Sequence, residues 1–247
     1  MNGRDRDTRR QWLQSRLGLG LALALAGGVG TVVAAWPGQA WADTAEDFEK
    51  ALIQDNARTM VNLVFRGADP NTRDSRERPA LVAALHRDSL KVFDVLLNSP
   101  GIRLDETSRQ GESALMMAAI KGHLDIVRAL LQRGASVHKE GWTALHYAAS
   151  AALPDSLAIV QLLVSKGAPV DAPSPNGTTP LMMAAQYSAQ EVVAQLLKYG
   201  ADPLAKNQRG WTAVDFARQA SRDYLVESLT QAQRRVRATD PERKPRW

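Results

Sequence analysis

The chain has 247 residues, 45% apolar and 23% charged, with no cysteine and a formal net charge of +5; this is enough to build a core, and it excludes disulfides, thiolate metal sites and a cysteine nucleophile together. The positive charge sits at the ends. Five Arg against Asp5 and Asp7 in residues 1–42, and six basic groups against Asp240 and Glu242 in residues 231–247, leave residues 43–230 mildly acidic at −2, so no clustered cationic surface for nucleic acid is expected on the body.

Residues 1–42 read as an export signal. Thr8-Arg9-Arg10-Gln11-Trp12-Leu13-Gln14 forms a basic n-region, Leu17 to Ala35 an apolar stretch, and Ala40-Trp41-Ala42 a small-x-small cleavage site ahead of Asp43. Arg9, Arg10, Trp12 and Leu13 resemble the twin-arginine signal, Ser/Thr-Arg-Arg-x-Phe-Leu-Lys, with Trp12 for Phe and Gln14 for Lys. A Sec signal and an uncleaved anchor are the competing readings, since a window of about 19 residues is long enough to span a bilayer. Gly18, Gly20, Gly27, Gly28 and Gly30 weaken both, because a glycine costs about 1 kcal/mol relative to alanine in a helix. The twin-arginine resemblance implies a periplasmic location, with no membrane contact after cleavage.

From there the chain repeats. Gly67, Gly101, Gly134, Gly167 and Gly200 recur at intervals of 34, 33, 33 and 33 in the numbering, four of them followed by Ala. The period divides the body into six units at about 45–73, 74–106, 107–139, 140–172, 173–205 and 206–230. The first lacks a capping threonine and begins near Glu46-Asp47-Phe48. In the later units Ser113, Thr143, Thr179 and Thr212 each stand where a side-chain oxygen caps the orphan amides of a helix, and Pro180 follows Thr179 where its missing N–H costs nothing. The Ala pairs at 118–119, 148–149 and 184–185 keep this inner helix thin. Ile126, Val127, Leu130 and Leu131 have the spacing of an apolar stripe on a second, outer helix, which the following glycine ends in a left-handed conformation.

Gly111 to Ala119 with Gly122-His123, Gly141-Trp142-Thr143-Ala144-Leu145-His146, and Gly177 to Ala185 resemble the ankyrin repeat, G-x-T-P-L-H-x-A-A-x-x-G-H. The resemblance covers roughly residues 45–230 and implies an all-α solenoid of helix-turn-helix units with degenerate capping units at its ends. Two departures stand out. In the second unit Glu77 replaces the turn glycine and Pro79 the cap, which predicts a distorted finger. In the fourth, the step from Gly134 to Leu145 is 11 where its counterparts are 14, and the step from Leu145 to Gly167 is 22 where they are 19. This predicts a retracted finger at Lys139-Glu140 and a bulge near Pro154. The end, residues 231–247, reads as a basic, disordered tail, with contact to an acidic partner or anionic lipid as its other reading.

No catalytic residue, cofactor or metal site is legible. His86, His123, His138 and His146 belong to different structural positions without metal-ligand spacing, and no nucleophile elbow, phosphate loop or dinucleotide fingerprint is present. The family resemblance assigns His146 to hydrogen bonds inside the finger, and assigns protein binding to finger tips and inner helices. Those positions are Arg109, Gln110, Glu112, Ile120 and Lys121 in the third unit, Trp142 and Ser150 in the fourth, Asn176, Thr178, Gln186 and Tyr187 in the fifth, and Arg209, Trp211, Arg218 and Gln219 in the sixth. Trp, Tyr and Arg are the types enriched at interface hot spots; the two tryptophans also suit packing against a neighbouring finger. The function expected is a periplasmic, non-enzymatic binding module for another protein, with a secreted effector or an accessory subunit of an exported enzyme as alternatives.

Overall fold

The computed structural model describes residues 37–239, with side chains from Thr44 onward; the signal residues Arg9, Arg10, Trp12 and Leu13 lie outside it. The described residues are all-helical apart from loops and two isolated bridges. A first helix, α1 (Pro37–Ile53), runs without a break through the backbone of Ala40, Ala42 and Asp43, and α2 (Ala57–Phe65) folds back after it. Five further hairpins follow: α3 (Ala80–His86) with α4 (Leu90–Leu97), α5 (Ala114–Ile120) with α6 (Leu124–Gln132), α7 (Ala144–Ser150) with α8 (Ser156–Ser165), α9 (Pro180–Tyr187) with α10 (Gln190–Lys198), and α11 (Ala213–Gln219) with α12 (Asp223–Thr239).

Inner helices stack in chain order, α3 on α5, α5 on α7, α7 on α9 and α9 on α11. The Ala pairs allow it: Ala118, Ala119, Ala148, Ala149, Ala184 and Ala185 are fully buried, and a larger side chain at any of them would push its neighbour away. Outer helices close the layer from behind with Val92, Val127, Leu130, Val160, Leu163, Val192 and Leu196, all buried. One continuous core results, running from Phe48 and Leu52 of α1 to Leu225 and Leu229 of α12.

The inner helices of units three to six start on the capping residue that the repeat supplies, whereas Pro79 precedes α3 without a side-chain cap. Ser113 Oγ accepts from Met116 N at 3.3 Å, and Thr179 Oγ1 from Met182 N at 3.4 Å. In the sixth unit the bond is reversed, with Thr212 N donating to Asp215 Oδ2 at 2.8 Å. Four inner helices, α1, α3, α7 and α9, end against the next unit. Ser89 Oγ donates to Leu52 O, Lys121 Nζ to His86 O, Ser188 Oγ to Ala151 O, and Arg222 to the carbonyls of Ala184, Ala185 and Ser188. The carbonyls that a helix end leaves orphaned are thus satisfied across the repeat interface, so stacking and hairpin formation reinforce one another.

The second finger is regular, against expectation. Glu77 takes the left-handed conformation itself, at φ 60°, and the turn closes through Glu77 N to Asp74 O and Asp74 N to Arg78 O. The third and fifth fingers close by the same pair of bonds around Ser108–Gly111 and Ser174–Gly177. The distortion is avoided because Asp74 Oδ1 accepts from the backbone N–H of Arg76 and Arg78 and holds the turn. A left-handed glutamate costs about 1–2 kcal/mol, against roughly 0.5–1 kcal/mol of extra unfolded-chain freedom for glycine. Glu77→Gly is therefore expected to raise the thermal midpoint by a few degrees; a fall would show that the Glu77 side chain contributes more than its backbone strain removes.

The fourth finger has lost its turn: among the described residues no backbone pair closes residues 137–142, and Ser136 Oγ bonds the backbone of His138 instead. The three residues moved between α7 and α8 place Leu153 against the hairpin turn of the preceding unit. A Cβ on Gly122 would meet Leu153 Cδ1 at 2.9 Å, and Gly122 has φ +73°. The insertion therefore packs backward onto its neighbour. At the other end the structure corrects the first part of the tail: α12 continues to Thr239, well past residue 230, and residues 240–247 lie outside the described residues. Val236 and Ala232 face α10, and Gln233 Nε2 donates to Pro203 O at 2.9 Å. Charge density alone favours disorder, whereas the helical spacing of Leu225, Leu229, Ala232 and Val236 lets this segment cover the exposed end of the stack.

Candidate protein-binding groove

Fingers and inner helices of units four to six enclose an open groove of about 310 Å³. Trp142, Asn176, Gln186, Tyr187, Arg209, Trp211 and Gln219 line it, all expected from the sequence, together with Met183, Asn207 and Phe216, which were not. The missed residues carry a signal nonetheless. Met183 and Phe216 stand two places after the repeat leucine position, where Met117 and Tyr147 stand in the other units; a bulky side chain there widens the groove floor.

Trp142 is half-buried and meets His146 edge to face, with ring centroids 5.2 Å apart. Trp211 meets Phe216 in the same way at 5.7 Å, and the Arg209 guanidinium lies over its ring at 5.7 Å from the centroid. Each indole is therefore fixed on one side by packing and faces the groove on the other. Tyr187 is 51% exposed. The two braced indoles need little ordering when a partner arrives.

Thr178 is corrected by the structure. It borders the groove, but its residue is only 2% exposed. Its N–H donates to Ser174 Oγ and Asn176 Oδ1, its carbonyl accepts from His146 Nε2, and the sixth finger crosses over it through Gln208 N to Asn176 O. A threonine on that stretch holds the finger together. The third-unit residues do not join the groove. Arg109 and Gln110 are exposed on their finger, Glu112 bonds Ser108 Oγ and faces His86, Ile120 packs partly into the core, and Lys121 bridges Asp88 and His86 O. In the fourth unit Ser150 Oγ is turned back onto Tyr147 O. Arg218 stands just outside, paired loosely with Asp215 at 3.6 Å and largely exposed.

His146 is the structural pin beneath the groove. It is fully buried; Nδ1 accepts from Thr143 N at 3.2 Å, and Nε2 donates to Thr178 O at 3.0 Å. Burial pushes its pKa down from 6.5 to about 4, so the ring is neutral near pH 7. Because the folded value lies below the unfolded one, its contribution is complete above pH 6.5 and is lost as pH falls toward 4. From pH 8 to pH 5 this one group removes about 2 kcal/mol, or roughly 4–8 °C of thermal midpoint. His146→Gln is expected to be less stable at pH 8 and to fall less steeply over that interval. Parallel melting curves for the two proteins would mean that the ring does not control the pH response.

A second exposed apolar feature lies away from the groove, on the first unit: Phe65, 88% exposed, with Ile53 and Val61. Among the described residues no group of three acidic or histidine side chains is placed to hold a metal, and no helix is long and apolar enough to cross a membrane.

Stacked helical hairpins joined by turned fingers, with one face of fingers and inner helices left open, define a repeat protein of the binding-scaffold class. The family model described as Ankyrin repeats (3 copies) matches residues 50–140, 81–174 and 150–240, and the chain belongs to the ankyrin repeat family. Its repeats mark it as a protein–protein interaction module. Curated proteins similar to it include mouse Ankyrin repeat and SAM domain-containing protein 6, 32% identical over 32% of this chain and 9% of that protein. Protein glp-1 of Caenorhabditis elegans is 32% identical over 37% of this chain and 8% of its own length. Mouse Protein phosphatase 1 regulatory subunit 27 is 39% identical over 22% of this chain and 37% of its length. The chain thus spans less than a tenth of the first two relatives and just over a third of the last.

Proposed function

We infer that this protein is an exported, non-catalytic binding module that acts in the bacterial periplasm by holding a partner protein in the groove of units four to six. The observation that carries the reading is the convergence of Trp142, Tyr187 and Trp211 on one open groove, with each indole braced by a buried ring. Aromatic side chains presented this way bury large area at small entropic cost. The groove is open and its polar groups are amides, an arginine, the Tyr187 phenol, the Thr178 hydroxyl and two indole N–H groups, with no carboxylate or histidine among its lining residues to pair with them as acid and base. The twin-arginine-like residues Arg9, Arg10, Trp12 and Leu13 support the location.

Support of an exported enzyme is the form of this function that one relative favours, since the mouse protein of 39% identity is by its name a regulatory subunit of a phosphatase. A photoreactive amino acid placed at Tyr187, and separately at Phe65, in intact cells tests the reading. Adducts to a periplasmic protein from position 187 and not from position 65 are expected. Adducts from position 65 alone, or adducts found only with cytoplasmic proteins, would overturn it.

A further inference from the structure

We propose that the groove of units four to six receives an acidic segment in extended conformation, anchored by one large apolar side chain. The proposal rests on the groove reading above and adds the chemistry of what fills it.

Charge decides the sign of the partner. Arg209 is exposed above Trp211, and Arg218 projects from α11 with its side chain 63% exposed and a carboxylate no nearer than 3.6 Å. The carboxylates on the same side of units four to six are committed or covered. Asp171 accepts from Asp202 N, Asp202 is 2% exposed, and Asp215 accepts from Thr212. Glu140, on the retracted fourth finger, is the exposed one among these described residues. An anionic segment crossing the sixth unit meets two guanidiniums, whereas a cationic one meets them without compensation, and rim charges of this kind select partners through steering and repulsion.

Shape decides its conformation. A groove of about 310 Å³ is at the small end for a ligand site and has room for one large side chain. Gln186 and Gln219 line it, and each amide carries both a donor and an acceptor. An extended backbone offers the matching N–H and C=O groups on both sides of an inserted anchor. Basic and aromatic residues together also suit a single-stranded nucleic acid. A single strand, however, carries a phosphate at every nucleotide, and the two guanidiniums of Arg209 and Arg218 do not track such a run, whereas they match a short acidic segment flanking one anchor.

The test is selection of a displayed random peptide library on the immobilised full chain, followed by titration of fluorescein-labelled copies of the enriched peptides. A labelled oligo-thymidine strand is titrated alongside. Enriched peptides are expected to carry net negative charge and a single Trp, Phe or Leu. Their affinity should fall about fivefold in Arg209→Glu and again in Arg218→Glu, the size of an exposed ion pair, and should weaken with added salt. Tyr187→Ser, which removes an exposed ring and leaves the core intact by circular dichroism, should abolish capture. Neutral or basic enriched peptides would overturn the inference while leaving the groove reading standing. Peptides still captured by Tyr187→Ser would place the site elsewhere and overturn both. Tighter binding of the oligonucleotide, or no enrichment at all, would also overturn the inference, in favour of nucleic acid or of a folded partner surface respectively.

Discussion

Replacing Trp142 and Trp211 together with alanine is expected to weaken binding of the groove's partner by about 30-fold or more, the effect of losing hot-spot aromatics. The geometry also sets the accompanying loss of stability. Each indole meets a buried ring edge to face, Trp142 on His146 and Trp211 on Phe216, and such pairs contribute about 0.5–1.5 kcal/mol beyond their burial. The double variant should therefore melt a few degrees lower, at about 2–4 °C per kcal/mol for a domain of this size. Titration calorimetry with the captured partner, beside thermal unfolding by circular dichroism, separates the two effects. An unchanged affinity with a lowered midpoint would assign both tryptophans to packing and remove the central support for the groove.

The parts of this molecule that were legible in its sequence are those where one residue type has one physical use. The glycine that recurs once per unit marks the end of each outer helix, and Gly67, Gly101, Gly134, Gly167 and Gly200 all have positive φ. Thr179 with Pro180 marks the start of an inner helix by the same logic. The shortened fourth finger was legible from counting alone, because residues removed from one loop must reappear elsewhere for the period to survive. What the sequence concealed was compensation. Glu77 reads as damage to the second finger until Asp74 is seen holding the turn with its carboxylate. Thr178 reads as a finger-tip contact until the sixth finger is seen crossing it. The arginines of α12 read as a solvated tail, while Ala232 and Val236 between them face the fifth unit across a cleft and Gln233 bonds Pro203 O. In the first case the deciding contact is the direction a side chain takes, which residue type alone does not fix. In the other two the partner belongs to the adjacent unit, beyond the reach of local pattern.

Asp74→Ala is expected to produce the largest loss of stability among single substitutions in the polar network. The carboxylate is fully buried and accepts from Arg78 Nε and Nη2 at 2.8 and 2.6 Å and from Arg87 Nη1 at 2.8 Å, besides the two backbone bonds that hold the second finger. Arg87 extends the chain of charge to Glu49 of α1 at 2.6 Å, and Glu49 accepts in turn from Ser75. One side chain thus joins the second finger, the hairpin turn between α3 and α4, and the helix that begins the stack. Burial raises the Asp74 pKa, but the hydrogen bonds from Arg78 and Arg87 outweigh it and leave the value at about 2. Since the folded value is depressed, the contribution is complete above about pH 4 and is lost as pH falls through 2. Alanine leaves Arg78, almost buried, without its counter-charge, which costs about 3–5 kcal/mol; asparagine keeps the turn acceptor that Asn207 provides in the sixth finger and should cost less. Urea unfolding at pH 7 should rank the parent above Asp74→Asn and Asp74→Ala last, with the three converging as pH approaches 2. An Asp74→Ala midpoint equal to the parent's at pH 7 would mean that the attraction for the two arginines only balances the burial of the charge, and that Phe48, Ala51 and Leu52 hold the first unit through apolar contact.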